Sequence, residues 1–115
     1  LPERYTLLRA VAHLVRAMHA RHLQHNSLYP KHLFLKADGH RWLARVIDLE
    51  KSKRRWRRQD CQVRDLSTLT RYAEGLSHGD RLRFYLLYRG ESSLTPKGKG
   101  LLRLVLRDVE KKRGG

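Results

Sequence analysis

From Met18 to Glu50 the chain reads MHARHLQHNSLYPKHLFLKADGHRWLARVIDLE, a stretch that passes from helix through loop to two short strands. The loop runs from Leu23 to His32, where helical apolar spacing stops and Asn26, Ser27 and Pro30 stand close together. Two apolar runs follow, Leu33-Phe34-Leu35 and Trp42-Leu43 through Val46-Ile47, with Asp38-Gly39 between them. An Asp-Gly pair between short apolar runs is a hairpin signal, because both residues accept the left-handed backbone of a tight turn. A hairpin is therefore expected over residues 33–47.

Working outward, Leu7, Leu8, Val11, Leu14, Val15 and Met18 recur three and four apart, which predicts an amphipathic helix over about 3–22. Pro2 suits its first turn. Downstream, residues 48–62 are polar and strongly basic, and read as a loop. Val63, Leu66, Leu69, Tyr72 and Ala73 then predict a second helix ending near Gly75. Two more helices are expected, over about 79–88 and about 96–112, the last opening at Pro96 after Thr95. Gly98 and Gly100 weaken its first turn. The expected fold class is mainly α with one small β-hairpin, over a single unit 1–115. A lone hairpin is marginal in water, so it must pack on the helices.

The chain has 115 residues, 40% hydrophobic and 32% charged, enough apolar material for a core. No apolar run approaches the ~20 residues that span a bilayer as a helix. It begins at Leu1 without methionine and reads straight into a helix, as a piece of a longer protein would. Lys and Arg number 26 against 11 Asp and Glu, for a net charge of +15. Such an excess favours polyanionic partners: nucleic acid, an anionic membrane face, a phosphorylated glycolipid or nucleotide phosphates. Cys61 is the only cysteine, which excludes an intrachain disulfide and a cysteine-built zinc site, and fits a reducing compartment. His19 and His22 lie three apart on one helix, but no carboxylate or cysteine supports them at a zinc-site spacing.

The quoted stretch resembles the catalytic core of protein kinases. In those proteins a helix ends on a hydrophobic-His pair, and five residues later comes His-Arg-Asp-Leu-Lys-Pro-Glu-Asn before a short strand. Here Met18-His19 is followed, after five residues, by His25-Asn26-Ser27-Leu28-Tyr29-Pro30-Lys31-His32 and Leu33-Phe34-Leu35. Val46-Ile47-Asp48-Leu49-Glu50 stands where the metal-binding Asp of Asp-Phe-Gly belongs. Within that superfamily the chain is most similar to the lipopolysaccharide core kinases, the Kdo/WaaP family, and to its InaA-like branch. Tyr29, His32, Ile47-Asp48-Leu49 and Arg64-Asp65-Leu66 carry that likeness, which covers roughly residues 3–87.

The resemblance implies a protein-kinase-like C-terminal lobe whose N-lobe, with its glycine-rich loop and Lys–Glu pair, would precede Leu1. It implies ATP and Mg²⁺, because phosphoryl transfer proceeds by positioning and by metal neutralisation of the phosphates. Asp48 would ligate Mg²⁺, and His32 would stand at the second metal position. A neutral imidazole is a poorer Mg²⁺ ligand than an amide oxygen, so for His32 a loop-orienting role stays open. His25 would hold the catalytic-type loop, Tyr29 would support it, and Asp65 would accept its backbone N–H groups from below. At the catalytic-base position stands Ser27, whose hydroxyl cannot take a proton as a carboxylate does. That acid–base term is worth ~10²–10⁴ in rate.

Each of these readings has a plainer one beside it. Asp48 alone would cap a loop; with the upstream loop in register, the metal role is the better reading. Ser27 as a hydrolase nucleophile fails, because His25 two residues away in a loop makes no triad. Lys51, Lys53, Arg54, Arg55, Arg57 and Arg58 form either a solvated loop or an anion and substrate contact, with Trp56 as anchor or stacking platform. Six basic residues in eight favour the anion contact.

The expected function is therefore that of a lipopolysaccharide-kinase-like protein, weakly active or a pseudokinase, with nucleotide and an anionic glycolipid or membrane surface as partners. A cytoplasmic location, peripheral on a bacterial inner membrane, is expected with it. Apolar surface facing the N-lobe would favour docking or self-association. A basic nucleic-acid-binding module and a non-catalytic scaffold remain the alternatives.

Overall fold

The computed structural model describes residues 2–26, 28, 33–38, 41–46, 52–73 and 75–114. The first helix, α1, spans Pro2–Ala20 and buries Leu8, Ala12, Val15, Met18 and His19 along one stripe. It stops two residues short of expectation because His22 adopts a left-handed backbone, φ 60°, which turns the chain away. A two-residue strand, β1, follows at Leu23–Gln24.

Strands β2 (Leu33–Asp38) and β3 (Arg41–Val46) pair antiparallel, from Leu33 opposite Val46 to Asp38 opposite Arg41. The hairpin stands where the Asp-Gly signal placed it, but Asp38 is itself the last paired residue of β2, so the two positions between the strands are 39 and 40, outside the described residues. The hairpin packs on α1 through β3.

A further strand, β4 (Lys53–Arg54), pairs antiparallel with β1, Leu23 opposite Arg54 and Gln24 opposite Lys53. Thus part of the basic segment, expected as a loop, is a strand, and among the described residues there are two antiparallel pairs. Two residues show no alternation, so no sequence pattern betrays so short a strand.

Helix α2 spans Arg58–Tyr72, starting five residues before the expected Val63. Its buried stripe is Cys61, Asp65, Leu66, Thr68 and Leu69. Apolar periodicity misses the first turn because the stripe opens on a cysteine and an aspartate. Cys61 is fully buried, and burial raises its thiol pKa, so it is a core residue. Arg57 at the N-cap makes no side-chain cap, while Asp60 places a carboxylate against the positive end of the helix. At the other end Arg81 donates to the carbonyls of Thr70 and Ala73, satisfying groups the helix leaves orphaned, and to that of Leu76 in the segment that follows.

Helix α3, His78–Arg89, opens on a capping box in which Ser77 and Asp80 exchange side-chain and backbone bonds. It closes on Gly90 in the left-handed region, φ 71°. Helix α4, Pro96–Gly114, begins where Thr95 takes the Gly98 N–H at 3.0 Å, as the Thr-Pro signal predicts. The core joins Ala12 and Val15 of α1, Leu28, Leu66 and Leu69 of α2, Tyr85 and Tyr88 of α3, and Leu101, Val105 and Val109 of α4. Helix α1 packs chiefly on α3, and α2 chiefly on α4. The fully buried Leu28 ties the loop between β1 and β2 into this core.

Candidate functional site

The best-ordered chemistry lies under the loop that follows β1, where three helices bring polar side chains into the core. Asp65, midway along α2, is fully buried. Its Oδ2 accepts the backbone N–H of His25 at 2.8 Å and the Nε2–H of His19 at 2.8 Å. Its Oδ1 accepts the backbone N–H of Asn26 at 3.0 Å. A buried carboxylate is costly unless several donors surround it, and Asp65 has them.

The network continues through His19, near the end of α1. With Nε2–H committed to Asp65, Nδ1 accepts the Tyr88 hydroxyl of α3 at 2.7 Å. The two rings also meet edge to face, centroids 5.7 Å apart. Burial drives the Tyr88 phenol far above its ordinary value, so it stays protonated and donates. Tyr88, His19 and Asp65 thus form one buried chain of hydrogen bonds from α3 through α1 to α2 and on to the loop backbone.

The loop itself is bent to meet Asp65. Asn26 has φ 70°, a left-handed conformation that asparagine tolerates well, and its side chain accepts from the Gln24 amide at 3.1 Å. His25 is fully buried, and its amide is the one nearest the carboxylate. Ser27 follows directly in sequence. Ser27, Tyr29, His32, Asp48 and Lys51 lie outside the described residues, so the expected base position, both expected metal positions and the Tyr29 support are not placed. Among the described residues no cluster of three or more His, Cys, Asp or Glu could hold a metal ion.

Of the expected anion contacts, Lys53, Arg54, Arg57 and Arg58 are exposed and Arg55 is half-buried. The segment is fastened to the start of the loop. Besides the β1–β4 rungs, Arg55 donates its N–H to the His22 carbonyl at 2.8 Å. His22 Nδ1–H returns to the carbonyls of Arg55 and Trp56 at 3.3 and 3.2 Å. Trp56 stands 95% exposed.

Lys53 and Arg55 line an open groove of about 650 Å³ whose opposite wall is α4, with Arg107, Lys111 and Lys112. Asn26 and Gln24 line it too, so the groove reaches the clamped loop. The α4 contribution was not read from the sequence, where the last helix showed only its apolar spacing. The signal was present as Arg103, Arg107 and Lys111, each four residues apart and so on one face of the helix. Within the groove, burial alone would push the Asp108 carboxyl up. The Ser67 hydroxyl, Lys112 and Arg64 outweigh that and hold it below the usual carboxylate range. A separate apolar cavity of about 370 Å³ lies between α1, α2, α3 and α4, walled by Leu8, Val11, Leu66, Phe84, Leu102 and Val105.

A helix-held carboxylate clamping the loop that joins a long helix to a β-hairpin, with a second strand pair beside it, is the architecture of a protein-kinase-like C-terminal lobe. The sequence profile of the lipopolysaccharide kinase (Kdo/WaaP) family matches residues 3–88, and the chain belongs to that family. It is 36% identical over 77 residues to protein InaA of Escherichia coli strain K12, a match that covers 67% of this chain and 35% of InaA. Its structure is similar to that of WaaP solved in complex with acyl carrier protein, with a TM-score of 0.76 and 28% identity. That likeness covers 96% of this chain and 49% of the WaaP chain. The chain thus spans about a third of InaA and about half of WaaP.

Proposed function

We propose that the chain is the catalytic-loop lobe of a phosphotransferase-type protein whose inherited reaction moves the γ-phosphate of ATP to a hydroxyl of a lipopolysaccharide core sugar. The observation that carries this is the Asp65 clamp on the His25 and Asn26 amides, which fixes the backbone immediately before Ser27. Such a clamp has a purpose where a loop must present side chains to a reacting group at fixed positions.

Kinase-like families generally use ATP with Mg²⁺, and in this reading Asp48 supplies the hard oxygen ligand, with His32 as a second ligand or a loop support. A metal held there would supply neutralisation of the phosphate charge. The chain's own residues hold the loop through Asp65 and His25 and offer cations from Lys53 to Arg58 to an anionic acceptor. Ser27 brings no carboxylate to the base position, so the protein acts as a slow kinase or as a pseudokinase that binds nucleotide without fast turnover. Its place is the cytoplasmic face of a bacterial inner membrane, where such an acceptor sugar is presented. Because the WaaP neighbour is solved with acyl carrier protein, a carrier-protein partner of the whole protein belongs to this reading.

Calorimetric titration of the full-length protein with ATP, with and without Mg²⁺, tests it. Metal-dependent binding that Asp48→Ala abolishes supports the reading, and a Ser27→Asp variant that gains turnover assigns the missing base. Absence of nucleotide binding under every condition leaves a scaffold instead.

A further inference from the structure

We propose that the groove between β4, α2 and α4 is a docking surface for the phosphate-bearing face of an anionic lipid bilayer. The choice of a lipid surface rests on the proposed function, whose acceptor is a membrane glycolipid; the surface itself rests on charge and exposure.

Six cations line the groove, Lys53, Arg55, Arg64, Arg107, Lys111 and Lys112, against two carboxylates, Asp60 and Asp108. Both carboxylates are already engaged, Asp60 with Arg57 at 3.9 Å and Asp108 with Lys112 at 3.1 Å. Arg64 is near enough to Asp108 to help lower its pKa, and Lys53, Arg55, Arg107 and Lys111 hold no ion pair among the described residues. Arg103, Arg107 and Lys111 stand four residues apart along one face of α4, so like charges neighbour one another there. The basic surface continues past Arg107 into a second depression of about 560 Å³ that Lys97, Arg103 and the Glu91-paired Arg89 line.

Trp56 adds a different chemistry. It stands almost wholly in solvent between Arg55, which lines the groove, and Arg57, which is exposed. An indole flanked by arginines is the side-chain pairing suited to a lipid headgroup region, where the ring enters the interface and the guanidinium groups meet phosphates. The cations come from a strand and two helices and form a broad face. A nucleic-acid reader would concentrate them on one recognition element.

The test is cosedimentation of the full-length protein, without nucleotide, with phosphatidylcholine vesicles lacking or containing phosphatidylglycerol, at low and high salt. Binding is expected only with the anionic lipid, falling as salt rises, with tryptophan emission moving to shorter wavelength. The double variant Arg107→Glu, Lys111→Glu is expected to bind at least about tenfold more weakly. Trp56→Phe is expected to lose most of the emission shift, which separates its signal from that of Trp42. Circular dichroism checks folding, and Arg107→Gln with Lys111→Gln replaces the reversal if that variant unfolds.

Equal pelleting with neutral vesicles, or undiminished binding by the folded charge variants, overturns the proposal. So does tighter binding to a random-sequence oligonucleotide than to the vesicles, which would assign the groove to nucleic acid. Vesicle binding by a protein that binds no nucleotide keeps the docking surface and sinks the phosphotransferase reading. Turnover without vesicle binding does the reverse.

Discussion

Two polar regions of this small lobe treat charge in opposite ways. Under the loop, Asp65 and His19 are all but inaccessible to water, and each is met by partners at hydrogen-bond distance. Across the β4–α4 groove, a larger number of charges face solvent and leave each other unbalanced. A buried group must be satisfied within the fold, because an orphaned one costs several kcal/mol (~3–5 for half of a broken buried pair). An exposed cation is satisfied by water and is free to exchange that water for a ligand. The first region therefore holds the loop in shape, and the second leaves its charge open to solvent.

Substitutions break this contrast from the side of largest effect. Asp65→Ala strips the acceptor from the His25 and Asn26 amides and from His19 at once. It should cost about 3–5 kcal/mol in urea denaturation, enough to unfold a marginal chain.

Tyr88→Phe removes one hydroxyl from the same chain of bonds and should cost about 1–2 kcal/mol at neutral pH. It has a pH signature as well. The folded state raises the Tyr88 pKa, chiefly by burial, so below the unfolded value of about 10 the stability it provides is fully present. Above that value the unfolded chain loses the proton first, and stability falls by about 1.4 kcal/mol per pH unit for each such tyrosine. Tyr85 is shifted the same way, again by burial. Denaturation midpoints measured from neutral to strongly alkaline pH should therefore drop in the native protein and drop less steeply in Tyr88→Phe.

The smallest effect has the opposite sign. Arg107→Glu turns two like-charged neighbours four residues apart, Arg103 and Lys111, into attractive ones. It should stabilise the fold by about 0.5 kcal/mol while weakening anion binding. A variant that loses stability here, measured by thermal melting, would show that the groove is part of the scaffold after all.

Most of the scaffold was legible in the sequence. The Leu7-to-Met18 spacing located α1, Asp38-Gly39 located the β2–β3 hairpin, and Thr95-Pro96 located the start of α4. These are local signals, each set by a backbone preference or by one apolar stripe. The start of α2 escaped because its buried face opens with Cys61 and Asp65, which hydropathy passes over. The β1–β4 pair escaped because two residues carry no period, and the partners lie about thirty positions apart.

At the site, the family likeness pointed to Asp65, but only the fold brings Tyr88 to His19, 69 residues away. Nothing local in Tyr88 distinguishes it from Tyr85 three positions earlier, whose hydroxyl instead donates to the Gly98 carbonyl at 2.5 Å. The groove was half legible, since the basic run was plain while its α4 wall needed the packing of α4 against α2.

The two-rung ladder between β1 and β4 has a mechanical consequence. Leu23 and Gln24 are pinned on one side by Arg54 and Lys53, and the very next amides, at His25 and Asn26, are pinned on the other by Asp65. No slack residue lies between the two fastenings. A pull on the Trp56 segment is thus carried along a taut length of chain to the position just before Ser27, and the fastenings should let go together. In amide hydrogen exchange, Arg55 and His25 should open at the same rate, as one hinge pin and not as two latches.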